Sequence, residues 1–89
     1  MKTAQIVITN KLGLHARAAA KLVQLSNQFS ATISLEKEGE QADAKSIMEV
    51  LMLAGTQDTR LKIIAEGSDE EEAVEEITRL IGNKFEEDE

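Results

Sequence analysis

Residues 3–27, TAQIVITNKLGLHARAAAKLVQLSN, decide how this 89-residue chain begins to fold. Residues 3–9 are rich in β-branched types, and their apolar members alternate, which predicts a strand with one buried face. Residues 10–13 predict a loop that ends in a glycine. From Ala16 to about Asn27 the apolar residues recur at helical spacing and alanine is frequent, which predicts a helix.

The same two periodicities continue to the end of the chain. The predicted elements are strands at 31–36, 41–43 and 60–66, a hairpin turn at 37–40, a short helix at about Ile47–Leu53 and a last helix from Ser68 to Ile81. The last helix begins with a capping box from Ser68 to Glu71, and Gly82 is expected to cap its C-terminus. The order βαββαβα predicts an α+β fold whose helices cover one face of an antiparallel or mixed sheet.

Length and composition exclude several classes of protein. So short a chain encloses one core, so we expect a single domain over residues 1–89. The absence of cysteine excludes a disulfide framework, a thiolate zinc site and a cysteine nucleophile. One histidine and carboxylates without calcium-loop spacing predict no metal, and no cofactor fingerprint is present. Without a long apolar run or a signal-peptide core, we expect a cytoplasmic protein that does not insert into membranes.

The charge of the chain is unevenly distributed. A net charge of −7 and only two aromatic residues argue against nucleic-acid binding. The first 35 residues contain four basic residues and no acid, whereas all seventeen acids follow. The acid-free segment can present a positive surface to an anion or an acidic partner. The last four residues, 86–89, are acidic and are expected to form a mobile tail.

His15, the only histidine, lies between the loop that contains Gly13 and the first helix. The first amides of a helix lack intrahelical partners and sit at the positive end of its dipole, so this position favours phosphate. A ring nitrogen of His15 can act as nucleophile, with the backbone amides of Ala16, Arg17 and Ala18 holding the phosphoryl group. The Arg17 guanidinium offers a second cationic contact. Spacing alone does not separate this hypothesis from an exposed histidine without a function.

The short helix carries a second group of candidate residues. Ser46 and Glu49 form a capping box at its start. Val50 and Leu53 share a face that can point to the core, and the other apolar residues exceed what so short a helix can bury. A docking surface is therefore predicted, although packing of all these residues in the core is an open alternative. This predicted docking surface consists of Ala20, Lys21, Lys45, Ile47, Met48 and Leu51.

Two motifs in this chain resemble those of one protein family. Gly13-Leu14-His15-Ala16-Arg17 with Ala19-Ala20-Lys21-Leu22, and later Ala44-Lys45-Ser46-Ile47-Met48, are similar to the motifs of HPr, the histidine-containing phosphocarrier of the bacterial phosphotransferase system. The interval between the motifs and the order of elements also match, so the resemblance covers essentially the whole chain. It implies an HPr-like open-faced β-sandwich, in which three helices cover one face of a four-stranded antiparallel sheet.

The resemblance also implies a function. His15 would accept a phosphoryl group on Nδ1 from enzyme I and donate it to an enzyme IIA-type protein, with Arg17 as the supporting cation. Such a protein is a stoichiometric carrier and not an enzyme, and we expect a monomer. In some family members a serine kinase phosphorylates the residue that matches Ser46, although the charge of Glu49 would oppose this here. The alternative function is a non-catalytic regulatory or anion-binding α+β module that acts through protein–protein interaction.

The chain departs from the family pattern at Ala18, where most relatives have proline. Proline in the first turn of a helix pre-sets the backbone without losing a needed donor, so alanine makes this turn less rigid. Residues 10–14, Asn-Lys-Leu-Gly-Leu, and Phe85 with the acids after it look closest to the nitrogen-related branch (NPr). Sugar uptake is the other role that the resemblance allows.

Overall fold

The computed structural model describes residues 1–86 as a four-stranded sheet with helices on one side. The elements are β1 (Lys2–Val7), α1 (Ala16–Ser26), β2 (Thr32–Lys37), β3 (Glu40–Asp43), α2 (Ile47–Met52), β4 (Arg60–Glu66), α3 (Glu70–Gly82) and a 3₁₀ turn (Lys84–Glu86). The strand order is β1-β4-β2-β3, and every neighbouring pair is antiparallel. The predicted α+β fold and the antiparallel sheet are therefore confirmed.

Strand register explains why one face of the sheet is buried. Ala4, Ile63, Leu35 and Ala42 stand opposite one another across β1, β4, β2 and β3. One residue along, Gln5, Lys62, Glu36 and Gln41 form the neighbouring row, which is polar. Since successive side chains of a strand point to opposite faces, the apolar row faces the helices and the polar row faces water.

Helix α1 contacts both α2 and α3. Two hydrogen bonds show that α1 and α2 run antiparallel. The Leu14 amide, just before α1, donates to the Gly55 carbonyl, just after α2 (2.8 Å). At the other end, the Asn27 side chain donates to the Lys45 carbonyl (3.3 Å). The start of α1 therefore lies beside the end of α2.

Lysine side chains from elsewhere in the fold donate to backbone carbonyls at or just beyond the C-terminal end of each helix. Lys45 Nζ donates to the Phe29 carbonyl beyond α1 (2.7 Å), and Lys37 Nζ donates to the Leu53 carbonyl at the end of α2. Lys21 Nζ donates to the Phe85 carbonyl in the turn that follows α3 (2.7 Å). A cation is favourable at a helix C-terminus because the unpaired carbonyls carry partial negative charge. Within residues 1–86, no helix is long and apolar enough to cross a membrane, and no cluster of candidate ligands is arranged to hold a metal ion.

The predicted capping box at the start of α3 is wrong. Asp69, not Ser68, is the N-cap residue, and its side chain does not cap the helix. The Asp69 carboxylate instead accepts from the amides of Ser30 and Ala31 across the fold, each at 2.9 Å. These amides just before β2 lie within reach only in the folded chain, so tertiary contact replaces the local motif.

The predicted end of α3 is also displaced. Gly82 is still helical, and Asn83 is the C-cap. Lys84, Phe85 and Glu86 then adopt positive φ values, and Phe85 is fully buried. Burial of this aromatic ring accounts for a left-handed turn that three non-glycine residues rarely adopt. The Glu86 amide closes the turn on the Asn83 carbonyl (2.9 Å), and the rest of the predicted tail lies outside the described residues.

Asp69→Asn is expected to lower the melting temperature at neutral pH. Hydrogen bonds from the backbone amides of Ser30 and then Ala31 hold the pKa of Asp69 below its ordinary value. A depressed folded-state pKa adds stability above the unfolded-state pKa, and this stability is lost as the pH falls through the folded-state value. The difference in melting temperature between parent and variant should therefore shrink at acid pH. Glu71→Gln removes a charge from the same helix end and is the control, and an equal loss in both variants would contradict the role of the Asp69 hydrogen bonds.

Candidate functional site

Gly13 allows the loop before α1 to pack tightly against the residues that follow α2. Its φ of 64° lies in the left-handed region, and an added Cβ would overlap the Gly55 carbonyl and lie 2.9 Å from Thr56 Cα. Only glycine fits such a position without displacing the backbone. The buried side chain of Leu14 also lies beside Gly55, so the loop is anchored at two successive residues.

His15 is the N-cap residue of α1, with extended backbone angles of −77° and 176°. Its amide donates to the Gly13 carbonyl (2.9 Å), and its carbonyl accepts from the Ala19 amide (2.8 Å). The side chain is partly exposed and makes no capping hydrogen bond. The backbone of His15 is thus held on both sides, while its ring lies at the positive end of a helix.

The amides of Ala16, Arg17 and Ala18 precede the first intrahelical hydrogen bond, which the Ala19 amide makes. Ala16 and Arg17 are exposed, whereas Ala18 is 0% exposed because it packs in the core. Arg17 forms no ion pair within residues 1–86, so its guanidinium is available to an anion. The arrangement can bind an anion beside the His15 ring through amides at the helix N-terminus and one cation.

Four apolar side chains on α2 form an exposed surface, which we call the apolar patch: Ile47, Met48, Leu51 and Met52. Met48 and Met52 are the most exposed, at 70% and 73%. Val50 and Leu53 are buried, as predicted for the face that points to the core. Met52 was not among the predicted docking residues, although its position four residues after Met48 places both on one helix face. Leu12, 69% exposed in the loop before His15, was not among them either.

Comparison with known proteins identifies the family. Residues 2–83 match the family described as the PTS HPr component phosphorylation site. The chain belongs to the HPr family. It is 48% identical over 78 residues to HPr of Cupriavidus necator, with 88% of each chain covered. It is also 42% identical over 85 residues to the phosphocarrier protein NPr of Proteus mirabilis, with 94% of each chain covered.

Solved structures agree with this assignment. HPr-C-His from Thermoanaerobacter tengcongensis superposes with a TM-score of 0.96 at 46% sequence identity, and the match covers 100% of both chains. The two motifs that suggested HPr lie in the helices and loops just described. The chain is therefore a phosphocarrier of the phosphotransferase system.

The remaining predicted docking residues lie in different surroundings in this HPr fold. Ala20 is half-buried on α1. The Lys21 ammonium contacts the Phe85 carbonyl and lies 3.8 Å from the Glu86 carboxylate, so it faces the turn after α3. The Lys45 ammonium is hydrogen-bonded to the Phe29 carbonyl, beyond the end of α1 opposite His15. The fold therefore brings the apolar patch close to the loop before His15, while both lysine ammonium groups are directed toward backbone carbonyls.

Ser46 is the N-cap of α2, and half of its predicted capping box is confirmed. Ser46 Oγ accepts from the Glu49 amide (3.3 Å). The other half is wrong, because the Glu49 carboxylate accepts from the Asp43 amide (3.0 Å) and the Ser46 amide donates to the Asp43 carbonyl (3.0 Å). Strand β3 ends at Asp43, so its amide competes for the carboxylate that the local motif assigned to Ser46.

Proposed function

We propose that His15 is the phosphoryl acceptor of this phosphocarrier, taking the group from enzyme I and passing it to an enzyme IIA-type protein. The position of His15 carries the proposal: it is partly exposed at the N-terminus of α1, next to the exposed residues Ala16 and Arg17. Each partner consumes or regenerates the phosphorylated form, so the protein acts as a stoichiometric carrier and not as an enzyme. Its cytoplasmic location and monomeric state stay predictions.

The transfer step needs a neutral imidazole with a lone pair on the attacking nitrogen. In the tautomer that keeps its proton on Nε2, His15 Nδ1 attacks the phosphorus of the donor phosphohistidine. The new N–P bond forms as the donor N–P bond breaks, and the electron pair of the broken bond stays on the donor ring. That ring carries a proton on its other nitrogen and leaves as a neutral imidazole, while His15 becomes a phosphorylated imidazolium that keeps its Nε2 proton. The amides at the start of α1 and the Arg17 guanidinium stabilise the charge on the phosphoryl oxygens. The same groups hold the phosphorylated product until the acceptor removes the group.

We further propose that the apolar patch docks the donor and the acceptor in turn. The Leu14–Gly55 hydrogen bond fixes the loop before His15 against the end of α2. A partner bound to the apolar patch would therefore have His15 at the edge of the interface. Methionine suits a surface that meets more than one partner, because its side chain is flexible and polarizable. Relatives of both the HPr and NPr kinds match the chain, so sugar uptake and nitrogen-related regulation are both candidate roles.

Ser46 is proposed to act first as a helix cap. Its Oγ accepts a hydrogen bond from the Glu49 amide. A phosphate on this oxygen would be repelled by the negative charge of the Glu49 side chain. Regulatory phosphorylation by a serine kinase stays a prediction. Incubation with such a kinase tests it, since a phosphoserine survives acid whereas a phosphohistidine does not.

Incubation with enzyme I and radiolabelled phosphoenolpyruvate tests the proposed function. A carrier takes up one phosphoryl group per chain, and the bond is labile in acid and stable in alkali. A module that only binds anions would exchange phosphate reversibly and retain no label after denaturation. Failure to label with an active enzyme I would reject the proposal.

Arg17→Glu is expected to slow phosphoryl transfer to His15 by about tenfold or more, because it replaces a phosphate-binding cation by an anion. Thermal stability should change little, since an exposed substitution typically shifts it by within about ±0.5 kcal/mol. Arg17→Lys keeps the charge and should retain most of the rate. Parent-like transfer in the glutamate variant would show that the helix amides suffice without Arg17.

A further inference from the structure

Asn10 is a fully buried polar residue in the loop before His15. Its side-chain Nδ2 donates to the Gly13 carbonyl at 2.8 Å. Its own carbonyl accepts from the Gly13 amide at 3.2 Å. Asn10 therefore binds both backbone groups of Gly13, the residue whose left-handed conformation turns the chain toward His15.

The Gly13 carbonyl links Asn10 to His15 directly. It accepts a second hydrogen bond, from the His15 amide at 2.9 Å. The Gly13 carbonyl oxygen thus accepts one hydrogen bond from the Asn10 side chain and one from the His15 amide. Together these two hydrogen bonds use both lone pairs of the oxygen. On its other side Gly13 packs so closely against Gly55 and Thr56 that an added Cβ would overlap the Gly55 carbonyl.

We propose that Asn10 is a positioning residue for phosphoryl transfer: by fixing the Gly13 carbonyl, it sets the position from which the His15 ring meets the donor phosphorus. This inference rests on the proposed role of His15 as acceptor. In-line transfer needs the reacting atoms close and aligned, and a misplacement of about 1 Å can cost about a hundredfold in rate. Supporting hydrogen bonds that lock the backbone beneath a reactive side chain supply this precision.

Asn10→Ala tests the inference, with Ser26→Ala as the matched control. Ser26 is also fully buried, and its Oγ donates to the Leu22 carbonyl at 2.8 Å, but it lies at the opposite end of α1 from His15. The two variants each delete one buried side-chain donor to a backbone carbonyl. Transfer from enzyme I should show a kcat about tenfold lower in Asn10→Ala, with KM within about twofold of the parent because the apolar patch is intact. Ser26→Ala should keep the parent kcat.

Asn10→Asp supplies a second and sharper test, because aspartate has nearly the same size and shape. An ionised carboxylate has no hydrogen to donate and directs its lone pairs at the Gly13 carbonyl, so kcat should fall at least as far as in Asn10→Ala. Protonation restores a donor, so the ratio of variant to parent kcat should rise as the pH is lowered. A purely structural role would give no such recovery in a variant that stays folded.

The outcomes separate this inference from the proposed function. Acid-labile labelling of the parent and of Ser26→Ala, lost in His15→Ala, establishes the acceptor, whatever the Asn10 variants do. Parent-like kcat in a folded Asn10→Ala protein, or in a folded Asn10→Asp protein at neutral pH, would overturn the positioning role. So would an equal loss of kcat in Ser26→Ala, which would trace the effect to stability. If neither Asn10 variant folds, the residue serves the fold alone and the inference is withdrawn.

Discussion

Replacing His15 by alanine is expected to abolish the uptake of acid-labile phosphate and to leave the thermal melt close to that of the parent. The chain has no other histidine, so no second imidazole can take the group. His15 is partly exposed and its side chain does not cap α1, so its removal should change stability by about 0.5 kcal/mol or less. Labelling by enzyme I and radiolabelled phosphoenolpyruvate measures the first effect, and a thermal melt measures the second.

If the His15→Ala protein is still labelled, the stability of that label in acid shows which kind of residue carries the phosphate. Acid-labile label in a folded His15→Ala protein would remove His15 as the acceptor. Acid-stable label would indicate a hydroxyl such as that of Ser46, and Ser46→Ala in the same background would then remove it. Ser46→Ala alone serves as the control, because it should label as the parent does.

The strands and helices could be predicted because their determinants repeat within a few residues. Alternation placed Leu61, Ile63 and Ala65 on one face of β4, and all three are buried. Two residues at positive φ, Glu38 and Gly39, form the turn between β2 and β3 where the hairpin was predicted. Such patterns depend on the sequence period alone and need no knowledge of distant partners.

The errors arise where a distant backbone group competes with a local motif. The Asp69 carboxylate binds amides that lie 38 and 39 positions earlier in the chain, and no local pattern marks those amides as its partners. Helix α3 likewise ends at Gly82, one residue later than predicted, and the buried ring of Phe85 follows in the next turn. A capping motif identifies a possible acceptor, but the fold decides which donor reaches it.

In the candidate site, too, local features could be predicted from the sequence, whereas features that depend on tertiary contacts could not. The sequence could indicate Gly13, His15 and Arg17 as candidates because the loop, the histidine and the helix start are adjacent in sequence. The burial of Ala18 depends on tertiary packing, which the local pattern does not show, and its amide contact to phosphate stays a prediction. The direction of the Lys21 side chain depends on the turn after α3, which lies 64 positions further along.

Met48→Asp is expected to leave the protein folded and to weaken phosphoryl transfer from enzyme I and to the acceptor alike. Met48 is 70% exposed, so a carboxylate there stays in water and the melt should stay near that of the parent. On docking, the new charge would have to be desolvated against an apolar surface. A residue at the centre of an interface can be worth about 2 kcal/mol, which corresponds to about thirtyfold in affinity. Steady-state transfer assays should show the loss as a higher KM, with kcat nearly unchanged.

Two further variants isolate the cause of that loss. Met48→Leu keeps an apolar side chain of similar size and should retain transfer, whereas Leu53→Asp buries a charge at a core position and should unfold the protein. Parent-like transfer in a folded Met48→Asp protein would remove Met48 from the docking surface. A loss confined to one direction of transfer would show that the two partners bind different surfaces, because a single patch beside His15 must affect both.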